Sequence, residues 1–137
     1  MNESERRSAV EDRNRRLLRA RDAMDRDFAK PLDVPGLARV ALMSPSNFSR
    51  RFRETFGETP HRYLQRRRIE RACAMLRDGD RTVTEIALAV GFDSFGTFSR
   101  TFSAVIGRSP TRFRAESTPL AAPVCFVKTW TRPSSFG

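Results

Sequence analysis

Cysteine and histidine are scarce in this chain of 137 residues, which argues against several kinds of site. Cys73 and Cys125 are the only cysteines and form no Cys-x-x-Cys motif, while His61 is the single histidine. We therefore expect free thiols, no disulfide scaffold, no metal site and no cofactor. No nucleophile, base and orienting group come together in a motif, so we also expect that the chain is not an enzyme.

Long apolar runs are missing as well. Residues 1–16 are rich in charge and lack the apolar segment of a secretory signal peptide. The longest nearly apolar run, residues 119–127, is too short to span a bilayer. We expect a cytoplasmic protein that does not enter a membrane.

Lysine is the third scarce residue, since only Lys30 and Lys128 among the 26 basic residues are not arginine. With 16 acidic residues the net charge is +10, which favours a polyanionic partner. The alternative is a solvated surface in an arginine-biased protein. Clusters such as residues 66–68 (Arg-Arg-Arg) favour the partner, because a compositional bias alone would not group the charges.

The chain contains an internal repeat. Residues 48–52 (Phe-Ser-Arg-Arg-Phe) return fifty residues later as residues 98–102 (Phe-Ser-Arg-Thr-Phe), and a glycine and a proline follow each copy at the same spacing. Upstream of the pentapeptide the offset becomes forty-nine, as for Ala38 and Ala87. Two copies are too few for a solenoid, so we expect two similar small domains.

Apolar periodicity and cap residues predict an all-α fold of about seven helices. The predicted helices run from Arg15 to the residues before Pro31, from Asp33 to Ala41, from Ser44 to Gly57, from Thr59 to Arg77, from Thr82 to Val90, from Asp93 or Ser94 to Ile106, and from Ser109 to Arg114. The first thirteen residues carry charge without a period and form either a frayed arm or a polar extension of the first helix.

A short helix, a tight turn and a second capped helix occur twice, which is typical of helix-turn-helix proteins. We predict a polar arm or helix extension (1–14), a first helix-turn-helix subdomain (15–59), a linker helix (60–78), a second helix-turn-helix subdomain (79–116) and a short extended C-terminal tail (117–137). The tail either covers the second subdomain with Phe126 and Trp130 or contacts RNA polymerase or a second copy of the chain.

The second helix of each copy, residues 44–56 and 94–106, is the one that such a motif lays in the DNA major groove. With Phe48 pointing inward, a helical wheel puts Ser46, Asn47, Arg50 and Arg53 outward, and in the second copy Gly96, Thr97, Arg100 and Ser103. An outward arginine can bind guanine O6 and N7 or a phosphate. The alternative is an ordinary solvated helix face.

The phenylalanines divide into two groups. Phe48, Phe52, Phe98 and Phe102 have i, i+4 spacing and are expected in the core rather than stacked on bases. Phe95 lies at a helix start, where it either touches a thymine methyl group or folds inward. The linker helix of about eighteen residues would be roughly 27 Å long, close to the spacing of about 34 Å between adjacent major-groove segments. We therefore expect a monomer that binds an asymmetric DNA site.

Residues 86–94 (Ile-Ala-Leu-Ala-Val-Gly-Phe-Asp-Ser), the second pentapeptide, Gly107, Ser109, Pro110 and residues 112–114 (Arg-Phe-Arg) resemble the signature of the AraC/XylS family of bacterial transcription regulators. The resemblance covers residues 15–114. It implies two homeodomain-like subdomains bridged by a long helix, promoter binding at the bacterial nucleoid, and RNA polymerase recruitment by an activator. The family's base-reading positions fall on Ser46, Asn47, Ser49 and Arg50, and on Phe95, Gly96, Thr97, Ser99 and Arg100.

Two departures from the family pattern stand out. Leu42 occupies the first turn where the family usually has glycine, so we expect either a strain of about 1 kcal/mol at positive φ or an altered turn. Only about fourteen residues precede the first helix, which resembles the small stand-alone members that lack a sensory domain. A non-specific architectural DNA-binding protein is the alternative function, and the two differ in how strongly one site is preferred.

Overall fold

The computed structural model describes residues 2–117, and all regular secondary structure in this range is α-helical. The helices are α1 (Glu3–Arg26), α2 (Val34–Val40), α3 (Pro45–Phe56), α4 (Pro60–Asp78), α5 (Val83–Ala89), α6 (Phe95–Ile106) and α7 (Pro110–Glu116). The predicted all-α class with about seven helices is confirmed. The predicted extended tail lies outside the described residues except for Ser117, as do Cys125, Phe126 and Trp130.

Hydroxyl and carboxylate side chains cap the helices where the sequence predicts them. Ser44 Oγ accepts a hydrogen bond from the Asn47 backbone N–H at 3.3 Å and starts α3. Thr82 and Glu85 form a capping box at the predicted start of α5. Of the two residues that could start α6, Ser94 is the cap. Such caps satisfy backbone N–H groups that have no partner inside the helix.

The first helix begins twelve residues earlier than the predicted start at Arg15, so the polar segment is a helix extension rather than a frayed arm. Asn2 and Glu5 form a capping box at its start, with the Glu5 N–H 2.8 Å from Asn2 Oδ1. This extension has no apolar stripe, which is why periodicity could not reveal it. The helix also ends earlier than predicted, at Arg26, because Asp27 leaves the helical conformation, with a φ of −113° and a ψ of 30°.

The last helix extends two residues past its predicted end at Arg114. Glu116 explains the extension, since its carboxylate lies 2.6 Å from Arg112 Nε and 2.8 Å from Arg108 Nη1. An ion pair at i, i+4 spacing stabilises the final helical turn.

The chain divides into two compact units, with Leu64 in the first and Gln65 in the second. In the first unit α2 packs on α1 and α3. Its buried core consists of Leu17, Ala20, Met24, Leu37, Ala38, Ala41, Phe48, Phe52, Tyr63 and Leu64. The first turn of α4 thus belongs to this unit.

The second unit contains the rest of α4, with α6 packed on α5 and α7. Its buried apolar residues are Ile69, Ala72, Cys73, Leu76, Ile86, Ala87, Val90, Phe92, Phe98, Phe102 and Phe113. Four residues of α4 match four of α1 at an offset of fifty-two: Arg68, Ile69, Ala72 and Leu76 correspond to Arg16, Leu17, Ala20 and Met24. Each unit therefore sets a similar helix against its helix-turn-helix pair.

Aromatic contacts repeat between the units. Phe52 meets Tyr63 edge to face at 5.7 Å between ring centroids, and Phe102 meets Phe113 in the same way at 5.6 Å. The four phenylalanines at i, i+4 spacing have no exposed surface, so the prediction that they are core residues is confirmed. These edge-to-face pairs lie on the buried faces of α3 and α6, and the opposite face of each helix is open to solvent.

Candidate nucleic-acid interface

The turns before α3 and α6 have the same hydrogen bonds. In the first unit the Met43 N–H donates to the Ala38 carbonyl at 2.9 Å. In the second unit the Phe92 N–H donates to the Ala87 carbonyl at 3.0 Å. Bonds of this kind end a helix around one left-handed residue and redirect the chain. Each unit therefore starts its second helix from the same backbone geometry.

Leu42 is the left-handed residue of the first turn. It has a φ of 56°, the only positive φ among the non-glycine residues in the described range, while Gly91 occupies the matching position of the second turn with a φ of 103°. The side chain of Leu42 is 70% exposed, so burial does not compensate for the strain of about 1 kcal/mol. Of the two expectations, the structure has the strained turn and not an altered one.

Arg16 supports this turn from α1. Its Nη1 donates to the Ala41 carbonyl at 3.2 Å and to the Leu42 carbonyl at 3.1 Å. Its Nε lies 3.2 Å from Asp12 Oδ2, one helical turn earlier. Sequence reasoning missed this contact, because nothing in the local pattern indicates which arginine reaches a carbonyl 25 residues away.

All of the sequence-predicted site residues are accessible. Ser46, Arg50, Arg53, Phe95, Gly96, Thr97 and Arg100 are exposed, and Asn47, Ser49 and Ser99 are half-buried. Phe95 is 45% exposed and does not fold into the core. The residues of each helix lie together on its outer face: Ser46, Asn47, Ser49, Arg50 and Arg53 on α3, and Phe95, Gly96, Thr97, Ser99 and Arg100 on α6.

Each outer face carries an arginine bound to a polar side chain three residues earlier. Arg50 Nη2 donates to Asn47 Oδ1 at 2.8 Å. At the matching position of the second unit, Arg100 Nη2 lies 3.5 Å from Thr97 Oγ1. The sequence showed the duplicated arginine, but not these pairings.

Two observations describe the surroundings of these arginines. A Cβ atom added to Gly96 would lie 3.4 Å from Arg100 Nη1, so the glycine gives the guanidinium room to lie along the helix start. No carboxylate in residues 2–117 forms an ion pair with Arg50, Arg53 or Arg100, whereas the neighbouring Arg51 is paired with Glu54 at 3.2 Å. The outer faces thus present positive charge and hydrogen-bond donors to solvent.

Arg68 is the second-unit counterpart of Arg16. Its guanidinium carbon lies 5.9 Å above the ring centroid of Phe92, directly after the Gly91 turn. Burial lowers the pKa of Arg68, and the nearby Asp93 carboxylate opposes that shift. An arginine of the preceding helix therefore packs at the turn in both units: Arg16 donates to two turn carbonyls, and Arg68 lies over the ring of Phe92.

Two features are absent from the described range. No helix between residues 2 and 117 is both long enough and apolar enough to cross a bilayer. In the same part of the chain, no three histidine, cysteine or acidic side chains are grouped as metal ligands would be.

Known proteins are similar to this chain in sequence and in fold. A sequence profile described as a helix-turn-helix domain matches residues 37–116. An AraC-like transcription regulator of Streptomyces lividans is 39% identical over 95 residues, which are 69% of this chain and 31% of that protein. The chain spans about a third of the length of the curated relatives it matches.

Solved structures resemble the described helices. The C-terminal domain of AraT, a response regulator from Geobacillus stearothermophilus, superposes with a TM-score of 0.72 at 27% identity and covers 77% of this chain and 88% of that one. The DNA-binding domain of AdpA, solved with a target DNA, has a TM-score of 0.70 at 32% identity over 73% of this chain and 90% of its own. The helix-turn-helix profile covers more than half of the chain, and on this basis the chain belongs to the AraC/XylS family of helix-turn-helix proteins.

Proposed function

We propose that this chain is a sequence-specific DNA-binding transcription regulator that uses α3 and α6 as recognition helices. The observation that carries the proposal is a contact found in both units between an arginine and a polar side chain on an accessible helix face, Arg50 with Asn47 and Arg100 with Thr97. Neither arginine has a carboxylate partner in residues 2–117. The AdpA domain with the same fold was solved on its target DNA, which supports the same use of these helices.

In the first unit, Arg50 and Asn47 are the proposed base-reading pair. A guanidinium binds guanine O6 and N7 with two hydrogen bonds, and an asparagine amide does the same with adenine N6 and N7. Ser46 and Ser49 are small enough to let α3 approach the bases. Arg53 lies almost one turn further along, and we assign it to a phosphate, which positions the helix without reading sequence.

In the second unit, Arg100 takes the guanine role and Thr97 orients it. Phe95 is exposed at the helix start, where its ring would contact a thymine methyl group. Gly96 and Ser99 leave space for close approach. The second block of the DNA site should therefore contain a thymine beside a guanine, and the first block a purine pair.

The two units differ in their reading residues, so we propose a monomer that binds an asymmetric site of around 20 bp, about two helical turns. Recruitment of RNA polymerase, and activation rather than repression, follow the family pattern and are part of this proposal. No catalytic role is assigned to the chain. The place of action is the bacterial cytoplasm, at the nucleoid.

Selection of bound duplexes from a random pool at near-physiological salt tests the proposal. We expect an asymmetric motif with two short blocks about one helical turn apart. Binding of the selected site should exceed that of a scrambled site by at least about a thousandfold. Sedimentation of the complex should give one chain per duplex.

A selection that enriches no sequence would contradict the proposal. A pool without enrichment, together with affinity that depends steeply on salt and equally on every sequence, indicates phosphate contacts alone. That outcome would replace the regulator with an architectural DNA-binding protein. Two chains on one short duplex would contradict the monomer, and leave sequence-specific binding intact.

A further inference from the structure

The first turn poses a problem that the second turn does not have. Leu42 holds the left-handed conformation that Gly91 holds in the second unit, and both turns keep the same backbone hydrogen bonds. Leucine disfavours positive φ because its Cβ approaches the backbone, whereas glycine has no Cβ. A contact that offsets this strain would therefore stabilise the first turn, whereas the second turn has no such strain to offset.

Arg16 is a charged side chain that donates to the turn, through Nη1 to the carbonyls of Ala41 and Leu42. These two carbonyls flank the strained residue, and in an extended Leu42 they would point in nearly opposite directions, so that one nitrogen could not donate to both. A charged donor gives stronger hydrogen bonds than a neutral one. The contact thus favours the strained turn over extended alternatives.

Asp12 forms an ion pair with Arg16. Its Oδ2 lies 3.2 Å from Arg16 Nε, although the two atoms do not have hydrogen-bond geometry. Asp12 belongs to the polar extension of α1 that precedes the apolar stripe. Asp12 in the extension is therefore linked to the helix-turn-helix pair through Arg16.

We propose that Arg16 is a positioning residue for DNA reading, which holds the Leu42 turn and so sets the start of the first recognition helix. The proposal rests on the proposed function of α3. Only Met43 separates Leu42 from Ser44, whose Oγ caps α3 and accepts the N–H of the base-reading residue Asn47. A turn that relaxes away from positive φ would move this cap and change the direction of Asn47 and Arg50.

The turn of the second unit can be compared with the turn of the first. Arg68 stands where Arg16 stands, but Gly91 needs no support, and Arg68 packs against Phe92. Loss of the first arginine should therefore disturb one turn and leave the other unchanged.

Amide hydrogen exchange tests the turn without DNA. In Arg16→Met, the exchange of the Met43 N–H should accelerate at least tenfold, while the Phe92 N–H of the second turn does not change. Leu42→Gly in the same chain should restore slow exchange, because glycine accepts positive φ without help. The control Arg19→Met removes an exposed charge from the same helix and should have no effect.

Two results would overturn the role of Arg16 in the turn. One is an unchanged Met43 exchange rate. The other is acceleration of Met43 and of the core residue Phe52 to the same extent, since that would report whole-unit stability instead of a local turn. Failure of Leu42→Gly to restore protection would likewise show that strain at residue 42 is not what Arg16 opposes.

Duplex selection then tests the link to reading. With Arg16→Met the first block of the selected site should lose at least tenfold in base preference and the second block should keep its preference, and Leu42→Gly should recover the first block. If both blocks stay sharp, the positioning role is wrong even when the exchange result holds. If the unsubstituted chain selects no site at all, the proposed function has failed, whereas the exchange experiment still decides what Arg16 does to the turn.

Discussion

The hydroxyl of Tyr63 donates a hydrogen bond of 2.7 Å to the carboxylate of Asp25 and so ties the start of α4 to α1 in the first unit. The tyrosine ring is buried, 5.7 Å from the Phe52 ring. Its counterpart in the second unit is Phe113, which keeps the ring contact and has no hydroxyl. The repeat has thus conserved the packing and changed the polar contact.

Tyr63→Phe should destabilise the first unit by about 1–2 kcal/mol, because it removes a hydrogen bond to a charged acceptor while keeping the ring. Urea unfolding followed by circular dichroism measures the change. In an Asp25→Asn background the same substitution should have a clearly smaller effect. An unfolding midpoint that does not move would show that solvent replaces this hydrogen bond at no loss.

Arg50→Lys should relax base preference at one position of the first block by about 1–3 kcal/mol while keeping the positive charge, since lysine lacks the two-pronged guanidinium. Arg53→Lys is the matched control, because a phosphate contact tolerates either cation. Binding to single-base variants of the selected site measures both. Equal behaviour of the two variants would contradict the assignment of Arg50 to a base.

Much of this fold follows from local chemistry. Ser44, Thr82 and Ser109 were identified as helix starts because a hydroxyl followed by a suitable first turn is a local signal, and the apolar stripes identified the core phenylalanines. The extension of α1 has no apolar stripe, and its Asn2 and Glu5 capping box is not followed by an apolar run; ion pairs between charged side chains also hold it. Apolar periodicity cannot predict such a polar helix.

The candidate site was less accessible to sequence reasoning. A helical wheel gives the outward residues but not which of them bind each other. The hydrogen bond between Arg50 and Asn47 is therefore visible only in the structure. The support of the Leu42 turn joins residues 25 or 26 positions apart, and no propensity encodes that distance. Ser49 and Ser99 are not among the outward residues of the wheel and come from the family resemblance, and in the structure both are half-buried.

Cys73 should be unreactive in the folded chain. Burial raises the pKa of its thiol to about 12, so the reactive thiolate is on the order of a thousandfold scarcer at pH 8 than in an ordinary cysteine. In a Cys125→Ser background, iodoacetamide should modify Cys73 only after urea is added, which mass spectrometry detects. Rapid labelling of the folded protein would mean that this part of α4 opens readily.

Glu116 should make the second unit sensitive to acid. The hydrogen bond from Arg112, helped by the charge of Arg108, lowers the pKa of this exposed carboxyl below its usual value. A carboxylate with a lowered folded pKa stabilises the fold fully above its unfolded pKa of about 4.3. The contribution is lost as the pH falls through the lower folded value.

Unfolding midpoints of the chain and of Glu116→Gln, compared between pH 7 and pH 3, measure this contribution. The variant should be less stable at pH 7 and converge with the unsubstituted chain at the acid end. The same difference at every pH would assign the effect to packing of the side chain rather than to its charge.

The two arginine pairs differ in length, 2.8 Å for Arg50 with Asn47 and 3.5 Å for Arg100 with Thr97. The shorter bond restricts the rotamers of a long side chain before any ligand arrives, so less conformational entropy remains to be lost on binding. The looser pair keeps more rotamers and can adapt to more than one arrangement of acceptors. One chain would then combine a rigid arginine in the first recognition helix with a more adaptable arginine in the second.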